Sequence, residues 1–173
     1  SMQFKDIPGQ ERVKAQLRLS VQTGTVAHAQ LWTGPAGTYK LPMALAYAQY
    51  LNCAHRTAED SCGECPTCRQ FGRMEHPDLH YAFPLVESNE ITRKLSVKPF
   101  GDGYKVMIIW QVDKLAQLAS NKLLKILEEP PARTIFLLTS EHPDLLLPTI
   151  ISRTQEVAFR QEHFEVADSP FME

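Results

Sequence analysis

Four cysteines, Cys53, Cys62, Cys65 and Cys68, fall within sixteen residues in the pattern C-x8-C-x2-C-x2-C, and no other cysteine occurs in the chain. Four thiolates so close can surround one tetrahedral Zn²⁺, because the x2 spacing lets two sulfurs of a tight turn point at the same ion. Every coordination position would then be filled by protein, so the expected role is structural. Disulfides, which a reducing cytoplasm disfavours, a C-x-x-C redox pair and an Fe–S cluster draw on the same residue type and stay open as alternatives. His55 and His76 are surplus to a complete set and read as surface histidines.

A second candidate site is "GPAGTYKLP" at residues 34–42. It meets the phosphate-loop pattern G-x-x-x-x-G-K-[ST] at Gly34 and Lys40, with Gly37 inside the loop, but Tyr39 replaces the second glycine and Leu41 the hydroxyl residue. A working loop cradles phosphates with backbone N–H groups, reaches the β/γ oxygens with Lys and holds Mg²⁺ with the hydroxyl and a later carboxylate. Here Tyr39 carries a Cβ where close approach favours none, and Pro42 removes an N–H from the helix start. The strand "KVMIIWQV" should end in acidic residues, yet Trp110 and Gln111 stand there. Productive binding of ATP with Mg²⁺ is therefore not expected, and Lys40 alone cannot restore hydrolysis. A chance turn in an unrelated fold is the alternative.

These residues need elements to hold them. Apolar runs at Ala29–Thr33, Leu79–Phe83, Lys105–Val112, Thr134–Thr139 and Glu156–Phe159 read as buried strands, most of them separated by segments of helical period. That alternation predicts an α/β fold with a parallel sheet covered on both faces. One helix is expected from Leu41 through Leu51, with Pro42 tolerated in its first turn; another carries Leu115, Leu118, Ala119, Lys122, Leu123, Ile126 and Leu127 and is stopped by Pro130-Pro131. The cysteine stretch between the first helix and the second strand lacks periodicity and reads as an insertion, residues 53–76, within a domain spanning 1–159. Residues 160–173 read as a polar tail or the start of a further domain. With 173 residues, 43% of them hydrophobic and 22% charged, the chain can build one α/β core, and no run is long enough for a membrane helix. No secretory leader is apparent, Ser1 before Met2 reads as a residue added in cloning, and a cytoplasmic location is the default. A formal charge of −2 gives no global pull towards a polyanion, so weak or no DNA binding is expected of the chain alone.

Taken together, "FKDIPGQERVKAQL", "GPAGTYK", the four cysteines, "HPDLH", "KVMIIWQVDKLAQLASNKLLKILEEPP", "FLLTSE" and "LLPTIISRTQ" resemble the AAA+ module of bacterial DNA polymerase III clamp-loader subunits, from about Phe4 to Phe159. Such loaders are five-subunit rings that use ATP to open a sliding clamp and close it around primed DNA. The resemblance implies gamma/tau and delta subunits as partners, with the clamp and primer-template DNA met through the complex. Gamma and tau carry intact nucleotide motifs; the degraded motifs here resemble the delta-prime type, a non-hydrolysing stator within a DNA-directed DNA polymerase holoenzyme. The gamma/tau-like motor is the alternative. Ser152-Arg153-Thr154 matches the family's Ser-Arg-Cys motif, which implies that Arg153 is an arginine finger given in trans to a neighbour's ATP. Arg153 as a cation at the carbonyl end of its own helix is the alternative. Ser140 matches the family's sensor position. Only "YAFPLVESNE" separates the "HPDLH" strand from the "ITRKLS" helix, shorter than is usual in the family, and the resemblance does not extend to the family's lid and collar segments.

Overall fold

The computed structural model describes residues 2–83, 88–95 and 98–163. Residues 84–87, within the stretch expected to be short, lie outside the described residues. Two compact units interleave along the chain: one comprises Ser1–Val26, Gly34–His76 and Ala158–Glu173, the other Ala27–Thr33 and Pro77–Val157.

The second unit holds the sheet. Strands β1 (Ala29–Thr33), β2 (Leu79–Ala82), β3 (Lys105–Ile109), β4 (Thr134–Ser140) and β5 (Gln155–Ala158) are arranged in the order β2-β3-β4-β1-β5. The β1/β4, β3/β4 and β2/β3 pairs are parallel, in register at Leu31↔Leu138, Met107↔Phe136 and His80↔Met107. Every residue of β1, β3 and β4 is buried, as a parallel sheet apolar on both faces requires. Alternate residues Ala29, Leu31, Met107, Ile109, Phe136 and Leu138 share one core with residues of three helices of this unit. These are α4 (Ser88–Leu95) through Ile91, α5 (Gln117–Glu128) through Ala119, Leu123 and Leu127, and α6 (Pro148–Ser152) through Ile150.

Two expectations shift here. The third strand stops at Ile109, because Gln111 takes a left-handed conformation (φ 52°, ψ 56°) and gives its N–H to Thr139 Oγ1 at 2.9 Å instead of to a ladder. Leu118, placed by its spacing on the buried stripe of α5, is 73% exposed; Ser120 takes a buried position on that helix.

The first unit carries α1 (Glu11–Gln22), α2 (Lys40–Asn52) and α3 (Pro66–Gly72). In place of one apolar stripe, α2 is buried on every side from Pro42 to Leu51, the condition of a helix enclosed by protein. Pro42 sits in its first turn, where a missing N–H breaks no bond of the helix; the first i→i−4 bond runs from Met43 N to Tyr39 O. The cysteine stretch is pinned to the chain's opening. Asp60 accepts from Phe4 N and Lys5 N (3.0 and 3.1 Å), Gln3 Nε2 donates to Ser61 O (2.7 Å) and Gln49 Nε2 donates to Ser61 Oγ (2.9 Å). Beyond β5, the segment expected as a tail is held at its start: Gln10 N donates to Glu162 Oε2, and Gln10 Nε2 to Arg160 O. No helix among the described residues is long and apolar enough to cross a membrane.

Candidate functional site: a glycine-containing loop, a surface arginine and a four-cysteine centre

In the loop after β1, Gly34, Gly37 and Tyr39 all take positive φ. Gly34 has φ +136° and Gly37 +78°, conformations that side chains disfavour. Tyr39 caps α2 in the left-handed region (φ 69°, ψ 29°), so the position holds the glycine's dihedrals at a cost of about 1–2 kcal/mol to a residue with a Cβ. Lys40 is 1% exposed, and its ammonium donates to Gly34 O and Pro35 O, both at 2.9 Å, and to Thr38 Oγ1 at 3.2 Å. Three N–H donors thus meet three acceptors of the same loop. Leu41, half-buried behind it, offers no oxygen, so the residues present do not fit a magnesium–nucleotide complex.

The remaining motif positions lie in the sheet unit. Trp110 and Gln111 follow β3 directly, with no carboxylate at the strand end. Ser140, at the end of β4, is 1% exposed; its hydroxyl donates to Asp113 Oδ1 at 2.7 Å and accepts from His142 N at 3.0 Å. A serine has one O–H, and this one is committed within the unit. Asp113 was not singled out from the sequence; it is the single acidic residue of the β3–α5 connection, which is the signal that could have found it. Nearby, Val112, Asp113, Leu115, Gln117 and Ser120 line a cleft of about 250 Å³ with residues 145–147 and Ile150.

Arg153 lies just past α6. Its backbone caps the helix, with N–H to Ile150 O at 3.2 Å, whereas its guanidinium reaches away from the helix carbonyls to Glu128 Oε1 on α5, Nη2 to oxygen 3.1 Å. The two side chains are 40% and 52% exposed. Ser152 Oγ donates to Thr149 O, and Thr154 Oγ1 to Ile150 O, so both hydroxyls of the motif serve the helix end.

The four cysteines do converge. Their sulfurs all lie within 4.8 Å of one another, Cys62 and Cys68 at 3.9 Å, and none is bonded in a disulfide. A regular tetrahedron with metal–sulfur bonds of about 2.3 Å has edges of roughly 3.8 Å, so the group could hold a metal ion. Backbone N–H groups serve the sulfurs: Cys62 N donates to Cys53, Glu64 N and Cys65 N to Cys62, and Cys68 N to Cys65. The amides of Glu64 and Cys65 pull the half-buried Cys62 thiol down to about 6, while burial pushes Cys53 and Cys68 up. Cys65 also caps α3, with Pro66 in the first position, and Gly63 (φ +74°) makes the turn between two ligands. His55 is exposed, as expected. His76 is instead half-buried, its ring stacked on Phe71 at 4.2 Å.

The strand order and the strand–loop–helix passage at Gly34–Lys40 define an AAA+ sheet. A family model described as DNA polymerase III, delta subunit, matches residues 9–163. The chain belongs to this family. It is a clamp-loader-type AAA+ domain. The delta' subunit of DNA polymerase III from Bacillus subtilis is 35% identical over 157 residues, covering 87% of this chain and 47% of that protein. The tau subunit of the same bacterium is 34% identical over 163 residues, covering 91% of this chain and 29% of that protein. The chain therefore spans less than half the length of these relatives. Among solved structures, a gamma subunit-related protein of DNA polymerase III from Thermotoga maritima superposes with a TM-score of 0.62 at 21% identity, over 85% of this chain and 46% of that one. RuvB from the same organism gives 0.58 at 18% identity, over 89% and 45%; both show the shared fold.

Proposed function

We propose that this chain is the AAA+ domain of a delta-prime-type clamp-loader subunit, a stator that does not hydrolyse ATP and offers Arg153 in trans to the nucleotide of a neighbouring gamma/tau-type subunit. The observation that carries it is the absence of a hydroxyl directly after Lys40, where Leu41 stands, and of a carboxylate directly after β3, where Trp110-Gln111 stand. A chain with this loop has no means to generate the charge distribution of phosphoryl transfer, whereas an exposed guanidinium at a helix end can stabilise it elsewhere. Residues 1–159 act as the AAA+ domain with 53–76 as its inserted module, Zn²⁺ fills the cysteine centre, and the clamp and primer-template DNA are met through the assembled loader in the bacterial cytoplasm.

The motor reading has one observation in its favour: Tyr39 preserves the loop dihedrals, and Lys40 is in place. Equilibrium ATP binding to the purified chain, with and without Mg²⁺, separates the two. Absent or magnesium-indifferent weak binding is expected; tight magnesium-dependent binding would restore the motor. In the reconstituted loader, Arg153→Ala is expected to leave the fold intact and lower ATPase by about 10³-fold, and unchanged ATPase would remove the finger.

A further inference from the structure

Glu128 stands where helix electrostatics disfavour it. It is the last residue of α5, beside the carbonyl end of the helix dipole, and Pro130-Pro131 close off the chain beyond it. A carboxylate there is repelled by the carbonyl end, so its placement calls for a compensating partner. That partner is Arg153, twenty-five residues away in sequence and 3.1 Å from it in space. The two stems are fixed independently: Leu127, adjacent to Glu128, and Ile150, one turn before Arg153, are buried in the same core. Only Nη2 of the guanidinium is engaged by the carboxylate, so one edge of the planar fork is held while its remaining N–H groups can face another acceptor.

We propose that Glu128 is a positioning residue for Arg153, holding one edge of the guanidinium so that the rest of the fork is presented to a neighbour's phosphate. The inference rests on the reading of Arg153 as a finger. An arginine on a flexible stem loses orientation freely, and a second, fixed hydrogen bond narrows what must be ordered when the phosphate arrives. The pair is half-exposed, so its contribution is modest and screened by salt.

The test is steady-state ATPase of the loader reconstituted with this subunit and its gamma/tau-type partners, comparing the parent with Glu128→Gln, Glu128→Ala and Arg153→Ala. Glu128→Ala is expected to lower kcat about two- to five-fold at low salt with KM for ATP unchanged, the deficit shrinking as salt is raised. Glu128→Gln keeps an acceptor oxygen and should fall between it and the parent, with the melting temperature of each variant unchanged. Parental kcat for Glu128→Ala beside a collapsed Arg153→Ala would overturn the positioning role and leave the finger standing. A deficit that is indifferent to salt and equal in both Glu128 variants would overturn it too. An inert Arg153→Ala would instead sink the reading on which it rests.

Discussion

Three glycines of the first unit share positive φ but differ in what a methyl group would meet, and this makes a graded test of the phosphate-loop geometry. At Gly24 (φ +68°) an added Cβ meets nothing within 4 Å. At Gly63 (φ +74°) it meets the amide end of Gln3 at 2.8 Å, a long side chain that can swing aside. At Gly34 (φ +136°) it falls 2.3 Å from the carbonyl oxygen of Phe159, a residue itself 3% exposed. Carbon and oxygen so placed overlap by about 1 Å relative to normal contact, and backbone must move to relieve it. For Gly24→Ala the left-handed strain of about 1–2 kcal/mol is partly offset by the less flexible unfolded chain, leaving roughly 0.5–1.5 kcal/mol. For Gly34→Ala, strain of about 1–3 kcal/mol adds to an overpacking cost of similar size, together roughly 3–5 kcal/mol. Thermal unfolding followed by circular dichroism should therefore show a drop of about 2–4 °C for Gly24→Ala and roughly 8–15 °C for Gly34→Ala, with Gly63→Ala between them. A Gly34→Ala protein melting within a degree or two of Gly24→Ala would refute the close approach of Phe159 to the loop and the argument built on it.

Asp60→Ala removes the acceptor of two backbone N–H groups at the chain's opening; a loss of about 1–2 kcal/mol and faster hydrogen exchange at Phe4 and Lys5 are expected, and unchanged exchange would show that the clasp is not formed. The purified chain should carry close to one equivalent of zinc by elemental analysis. Cys68→Ser or a strong chelator should remove the metal and lower the melting temperature, since binding free energy at such sites is folding free energy. Full stability after metal loss would make the centre incidental. His80 is held below its ordinary value of 6.5, first by burial and then by the charges of Lys105 and Lys94, with Asp78 opposing. The unfolded chain thus takes up a proton below pH 6.5 that the folded chain resists, so stability should be level above that pH and fall as pH drops towards the folded pKa. His80→Gln should flatten that fall, and an identical pH profile would exclude His80 as its source.

Much of this protein was legible in the residues. Runs such as "VMII" and "IFLL" are apolar at every position, and only a strand buried on both faces tolerates that, so a parallel sheet followed from hydrophobic patterning alone. The expectation that nucleotide chemistry is missing rests on residue type at Tyr39, Leu41, Trp110 and Gln111, because no fold can give a leucine side chain an oxygen. The C-x2-C-x2-C spacing announced a shared centre because its turns are local. Less visible were α1 and α3, although Val13 with Leu17 and the Cys65-Pro66 start were available as signals.

Tertiary structure decided whatever depends on residues distant in sequence. Leu118 fits a helical stripe by spacing, yet the direction in which α5 lies on the sheet leaves it in solvent. Arg160 and Glu162 are held by Gln10 from the other end of the chain. That the Ser140 hydroxyl bonds Asp113, and that the Arg153 guanidinium reaches Glu128 on another helix, are choices between acceptors of similar strength. Hydrogen bonds are short-ranged and directional, so proximity settles such choices, and proximity is set by the core that clamps α5 and α6 onto the sheet.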